Sequence, residues 1–162
     1  MITYDSNSKP RYDNKGSEFG NIHRELPKYC GMFDIDRMSA EANVSLELTK
    51  TETAFMEYRT DFNNSSVKFL AMFEVKHKMT DYVKKALGCR VGTSTWAQMQ
   101  MCKTLKSRYF IVIGNDGKQP FEFHEVNVST GESKLAYILS YSSDNKKDKI
   151  TKCWKQLGLL DI

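Results

Sequence analysis

Apolar and polar positions alternate along this chain in two rhythms, and the changes between them mark out its elements. Residues 67–77 are apolar through the middle of the run and end in Phe73-Glu74-Val75-Lys76-His77, the composition of a strand buried on both faces. In a strand every second side chain shares a face, so Glu74 and Lys76 are expected to point with Leu70 and Met72. Phe69, Ala71, Phe73 and Val75 then point to the other side. Residues 108–114 form a second apolar strand, with Asn115-Asp116-Gly117 as its turn. Residues 121–128 and 134–141 read as two strands joined by the hairpin signal Ser129-Thr130-Gly131. Shorter strand-like runs lie at 44–48 and 54–58, and residues 30–37 alternate with period 2, placing Asp34 and Asp36 on one face and Phe33 and Ile35 on the other.

The helical rhythm appears between these runs. Residues 16–26 have helical character, with Ser17 as N-cap, Glu18 and Glu25 seven apart on one face, and Pro27 as the stop. Thr80-Asp81-Tyr82 opens a short helix that Gly88 closes. Thr93-Ser94-Thr95 caps another that runs to about residue 107. On that helix Trp96, Met99 and Lys103 lie along one stripe, and Gln98, Cys102 and Leu105 along another. Residues 147–159 predict an amphipathic helix with Ile150, Cys153, Trp154 and Leu157 inward and Gly158 at its end. The expected fold class is therefore α/β, one domain over residues 16–162 with a mixed central sheet flanked by helices. The polar residues 1–15 read as a flexible N-terminal arm.

Composition narrows the class without naming the function. A chain of 162 residues that is 40% hydrophobic, with nine Phe and two Trp, can bury one sizeable core. No stretch approaches the length of a membrane span, and the N-terminus lacks a secretory apolar core, so the sequence predicts a cytoplasmic protein with no membrane partner. Cys30, Cys89, Cys102 and Cys153 have no C-x-x-C spacing, which favours reduced thiols over a zinc site or a disulfide framework. A net charge of +4 is too small to establish a nucleic-acid partner. Lys68, Lys76, Lys78, Lys84 and Lys85 nevertheless crowd the Glu-x-Lys strand, and Lys103, Lys106 and Arg108 follow the next helix, where phosphate contacts would be useful.

Two features carry chemistry. A carboxylate that holds a divalent cation, beside a lysine that offsets charge developing on a phosphate, is what metal-assisted phosphodiester hydrolysis needs, and Glu74 with Lys76 provides that pair. Aspartates are depleted from strands, so Asp34 and Asp36 inside an apolar alternation call for a neutralising cation. Alternatively, Asp34 caps a turn and Asp36 pairs with Arg37 or Arg59. His124 reads as a structural histidine, with a role as a ligand the alternative.

Asp34-Ile35-Asp36, followed by Ala71-Met72-Phe73-Glu74-Val75-Lys76-His77 with Glu57-Tyr58-Arg59 between them, resembles the PD-(D/E)xK nuclease superfamily, in particular its small phage-type members. The similarity spans roughly residues 18 to 126. The resemblance implies a restriction-endonuclease-like fold and a metal-dependent nuclease acting on DNA with Mg²⁺ or Mn²⁺. It implies Asp36 as the strand acid, with Asp34 its rival, and Glu74 as the second metal ligand. Lys76 would assist the attacking water. Glu18 or Glu25 would be the helix acid and Gln98, with Gln100 its rival, the glutamine of the following helix. Lys78, Lys84 and Lys85 are the candidate DNA contacts. Where the family often joins its strand acid to Glu-x-Lys by a short hairpin, this chain inserts residues 38–66, which adds Asp61 and Glu57 as candidate acids. Two other classes remain open, a catalytically inactive module of the same fold that binds DNA and a phage-type accessory protein that binds a host protein. Monomer and homodimer are equally compatible with the sequence, and a phage-encoded protein would act in the host cytoplasm.

Overall fold

A computed structural model describes residues 3–4, 10–11, 19, 22–26, 30–34, 53–61, 63–76, 84, 87–88, 91, 93–115 and 118–160. The apolar runs become strands because each is paired on its backbone edges and covered on its faces. In chain order the strands are β1 (Thr3–Tyr4), β2 (Pro10–Arg11), β3 (Cys30–Asp34), β4 (Thr53–Asp61), β5 (Ser66–Lys76), β6 (Arg108–Asn115), β7 (Lys118–Val126) and β8 (Ser133–Leu139). β1 and β2 pair with each other, and β3 to β8 form one sheet whose spatial order is their chain order. All neighbours in that sheet are antiparallel except β5 and β6, which run parallel. A parallel pair needs a crossover. Helix α1 (Ser94–Leu105) lies within it, and helix α2 (Lys146–Gln156) follows β8. The protein is thus mixed α/β, as its periodicities predict. None of the described helices is long and apolar enough to cross a membrane.

Both faces of the sheet are buried. On one, Phe55, Phe73, Val75, Phe110, Val112, Phe121 and Phe123 pack with Phe19, Ile22 and the Ile150, Cys153 and Trp154 of α2. On the other, Ala54, Met56, Met72, Tyr109, Ile111 and Ile113 pack with Met99 and Cys102 of α1. Burial on both sides is why β5 and β6 read as continuous apolar runs rather than as alternating ones.

One expected face assignment is corrected. Phe69 packs on the α1 side and Leu70 on the α2 side, the reverse of strict alternation. The β4–β5 register jumps from Glu57↔Ala71 to Tyr58↔Phe69, so Leu70 is an extra residue and the side-chain alternation changes phase at that bulge. From Ala71 onward the expected alternation holds.

Helix ends follow the capping residues. The Thr93 hydroxyl accepts the Trp96 N–H at 3.1 Å, starting α1 where its cap predicted. Gly158, at φ +72°, turns the chain out of α2, and its Leu157 carbonyl accepts a hydrogen bond from the Arg108 guanidinium. In the β7–β8 connection Asn127 Oδ1 accepts the N–H groups of Ser129 and Thr130, and Gly131 takes φ +78°. Of the expected helix at 16–26, the described residues include a 3-10 turn, His23–Glu25. The expected strand at 44–48 lies outside the described residues, as does most of the short helix at 80–88.

The thiols of α1 and α2 are free and buried, one in each core. Burial pushes Cys102 up to about 12 and raises Cys153 further, so neither is a thiolate near neutral pH. Alkylation of Cys102 and Cys153 at pH 8 should therefore be at least about 100-fold slower in the folded protein than in urea, as followed by peptide mass spectrometry. Labelling of Cys102 at the rate of an unfolded thiol would show that α1 opens readily from the sheet.

Candidate active site

Glu74 and Lys76 stand two residues apart on β5, so both project toward α1, and both are buried, at 0% and 3% exposure. Lys76 Nζ lies 3.0 Å from Glu74 Oε1. Burying two charges is tolerable only when each is compensated at close range. Further donors come from the elements packed on either side. Across the parallel β5–β6 pair, Tyr109 stands beside Met72 on the same face, and its hydroxyl lies 2.5 Å from Glu74 Oε2. From α1, the Thr95 hydroxyl donates to the same carboxylate at 3.1 Å. Gln98, one helical turn further on and 5% exposed, places its amide oxygen 2.8 Å from the Tyr109 hydroxyl.

Three of the four residues expected to be catalytic, Glu74, Lys76 and Gln98, thus share one buried site. Gln98 is brought there and not Gln100, because α1 lays Thr95, Gln98, Met99 and Cys102 against the sheet at helical spacing. Lys103, on the Met99 stripe, is exposed. The fourth, Asp36, lies outside the described residues, as do Glu18, Lys78 and Lys85. Lys84 is exposed. Two side chains of the site, Tyr109 and Thr95, were missed in the sequence. A lone hydroxyl within the apolar run 108–114 was the signal for the first, whereas Thr95 was hidden by its second reading as a capping residue.

The other candidate acids stand elsewhere. Asp34 pairs with Phe55, which pairs with Phe73, so it joins a different row of the sheet from Glu74. In Glu74's own row the β4 residue is Ala54. Asp61 is exposed at the far end of β4, where it accepts the N–H groups of Asn63 and Asn64 and the Asn64 side chain at 3.0, 3.2 and 2.7 Å. Those bonds to the ionised form hold its carboxyl below the usual range. It is a turn cap. Glu57 is fully buried on the α2 side, 2.9 Å from Arg59 Nη2, and it accepts the Trp154 indole N–H at 2.7 Å. His23 Nε2 lies 3.6 Å from the same carboxylate. Glu25 sits 4.0 Å from Lys146 of α2, so it belongs to the α2 side and does not lean toward Glu74. Arg108 holds Glu125 through two bonds of 2.9 Å and also reaches Leu157, which makes it a brace between β6, β7 and the end of α2. His124 is on β7, two strands from Glu74, where desolvation lowers its pKa despite Glu122 at 3.9 Å.

The cluster joins an acid held by hydroxyl donors to a buried ammonium and an amide, a set suited to binding a hard cation and a phosphate oxygen. Mg²⁺ and Mn²⁺ are commonly held by one or two carboxylates with water completing the shell. Glu74 fits that requirement as one ligand. Among the described residues no group of three His, Cys, Asp or Glu side chains converges. The chain matches no protein-family model, no curated protein and no solved structure.

Proposed function

We propose that this protein is a divalent-metal-dependent nuclease of the PD-(D/E)xK type that hydrolyses DNA phosphodiester bonds at the Glu74–Lys76 site. The observation that carries the reading is the convergence of Gln98, through Tyr109, on Glu74 and Lys76. An expected helix glutamine and an expected strand pair, 22 residues apart at their nearest, meet across α1 and β5. The parallel β5–β6 pair with α1 in its crossover supports a restriction-endonuclease-like arrangement.

Glu74 would hold Mg²⁺ or Mn²⁺, with Asp36 as the second acid from the segment after β3. The cation, when bound, supplies an activated water and neutralises charge at the phosphate. Lys76 stabilises the charge that builds on the phosphate oxygens, in a site whose burial strengthens the interaction. Thr95 and Tyr109 fix the Glu74 carboxylate. Lys84 lies on the surface as a candidate DNA contact.

A second reading is favoured by a specific observation. Ala54 occupies the β4 position opposite Glu74, and Lys76, Thr95 and Tyr109 already converge on the carboxylate. That arrangement suits an inactive module of the same fold, in which the former site has become a packing network. The two readings part on Lys76→Ala and Asp36→Asn. For a nuclease, single-turnover cleavage of supercoiled DNA in Mn²⁺ should fall about 10²-fold or more in each, while Lys76→Ala changes DNA affinity only modestly, since one phosphate contact among several contributes little to binding. No cleavage by the wild type in Mg²⁺ or Mn²⁺, with DNA still bound, would establish the inactive module. Full activity of Asp36→Asn would remove Asp36 from the site.

A further inference from the structure

The Tyr109 hydroxyl touches two of the proposed site residues and is fully buried between them, 2.5 Å from Glu74 Oε2 and 2.8 Å from the Gln98 amide. A phenol has one proton to give. The Gln98 carbonyl oxygen is placed toward Tyr109, so the hydroxyl faces two acceptors and can satisfy one. The Gln98 nitrogen then points the other way, where it has no hydrogen-bond partner among the described residues. A buried N–H left without an acceptor is among the costlier defects in a folded protein.

Charge decides where the proton goes. The Lys76 ammonium, 3.0 Å from Glu74 Oε1, favours the carboxylate form, and a charge-assisted hydrogen bond to a carboxylate is stronger than one to a neutral amide. Tyr109 therefore donates to Glu74. Turning the Gln98 amide over, so that its nitrogen donates to Tyr109 Oη, leaves the hydroxyl one acceptor and removes the orphaned donor at the same time. The result is a directed chain in which Gln98 N–H donates to Tyr109 Oη, and Tyr109 O–H donates to Glu74 Oε2.

We propose that Tyr109 is a positioning residue of the Glu74 site, and that Gln98 acts on Glu74 through the Tyr109 hydroxyl instead of contacting DNA or a cation. The proposal rests on the nuclease reading for its catalytic consequence, though not for the hydrogen-bond chain. Its physical basis is the placement of the three residues on three different elements. Glu74 carries its carboxylate on several rotatable bonds, whereas the Tyr109 ring is locked by the core it shares with Met72, Ile111 and Met99. The hydroxyl thus transfers the rigidity of that core to one carboxylate oxygen, and partners of this kind orient a ligand group without touching what it binds.

Single-turnover cleavage of supercoiled DNA in Mn²⁺ and equilibrium DNA binding at one salt concentration test the chain in four proteins: wild type, Tyr109→Phe, Gln98→Ala and the double variant. Tyr109→Phe keeps the ring in the core and removes only the hydroxyl. It should lower the cleavage rate by about 10- to 100-fold with DNA affinity unchanged within about twofold, and Gln98→Ala should do the same. The double variant should be no slower than the slower single variant, because both remove one chain. Losses that multiply in the double variant would show that Gln98 works independently, and would overturn the proposal. The second arm needs no catalysis. The Gln98 side-chain amide resonances, assigned by their disappearance in Gln98→Ala, should shift and exchange faster with solvent in Tyr109→Phe. Unmoved resonances would overturn the chain. A wild type inert in both cations defeats the nuclease reading by itself and leaves the amide measurement to decide the coupling.

Discussion

Glu74→Ala is expected to abolish metal-dependent cleavage and to lower folding stability by about 3–5 kcal/mol, the cost of removing one member of a buried charge pair. The variant takes away the carboxylate 3.0 Å from a lysine that is only 3% exposed, together with the acceptor shared by the Thr95 and Tyr109 hydroxyls. Each of those groups was desolvated on folding and now loses a bond it was buried to make. Urea denaturation measures the loss. Two companion variants separate stability from chemistry. Glu74→Gln keeps the shape and removes the charge a cation needs, so it should also be inactive. Replacing both charges, Glu74→Leu with Lys76→Met, should recover most of the stability, because well-packed apolar residues commonly replace a buried ion pair without loss. It should recover none of the cleavage. A Glu74→Ala protein within about 1 kcal/mol of wild type would mean that the Lys76 side chain can leave the core for water.

Arg59→Ala tests the opposite face and should give the second large effect. It removes the guanidinium 2.9 Å from the fully buried Glu57 carboxylate and the donor 2.5 Å from the Leu159 carbonyl, which ties the chain after α2 to β4. An expected loss of about 3–5 kcal/mol follows from leaving that carboxylate without its cation. The cleavage rate of the folded fraction should not change, since Glu57 and Glu74 lie on opposite sides of the sheet. A selective fall in cleavage at unchanged stability would place the Glu57–Arg59 pair in the site, contrary to its position against Trp154.

How much could be read in the sequence differs between neighbouring residues. Glu74 and Lys76 were legible as a pair because period-2 geometry is local, and nothing between them interrupts it. Leu70, four positions earlier, was not, because the bulge that changes its face exists only in the pairing with β4. The start of α1 was legible in Thr93, whose hydroxyl satisfies a backbone N–H within its own turn. Glu25 shows the limit from the other direction. Its place on a helical face was a local inference, but the side of the sheet that face meets depends on α2, more than a hundred residues away. Asp61 looked like a candidate acid for its distance from Glu74 along the chain, yet its carboxylate closes the β4–β5 turn at the opposite end of the strand.

By itself the sequence marked out the strands β3 to β8, the helices α1 and α2 and the Glu-x-Lys pair, because periodicity, capping and apolar content act over a few residues. Only the tertiary structure decided that Gln98 and not Gln100 reaches that pair, that Tyr109 and Thr95 hold it, and that Glu57 and Glu25 belong to the far side. Those outcomes depend on strand register and on which helix covers which face. Both are set by the packing of whole elements, and a single residue's identity carries no record of its partner across the sheet.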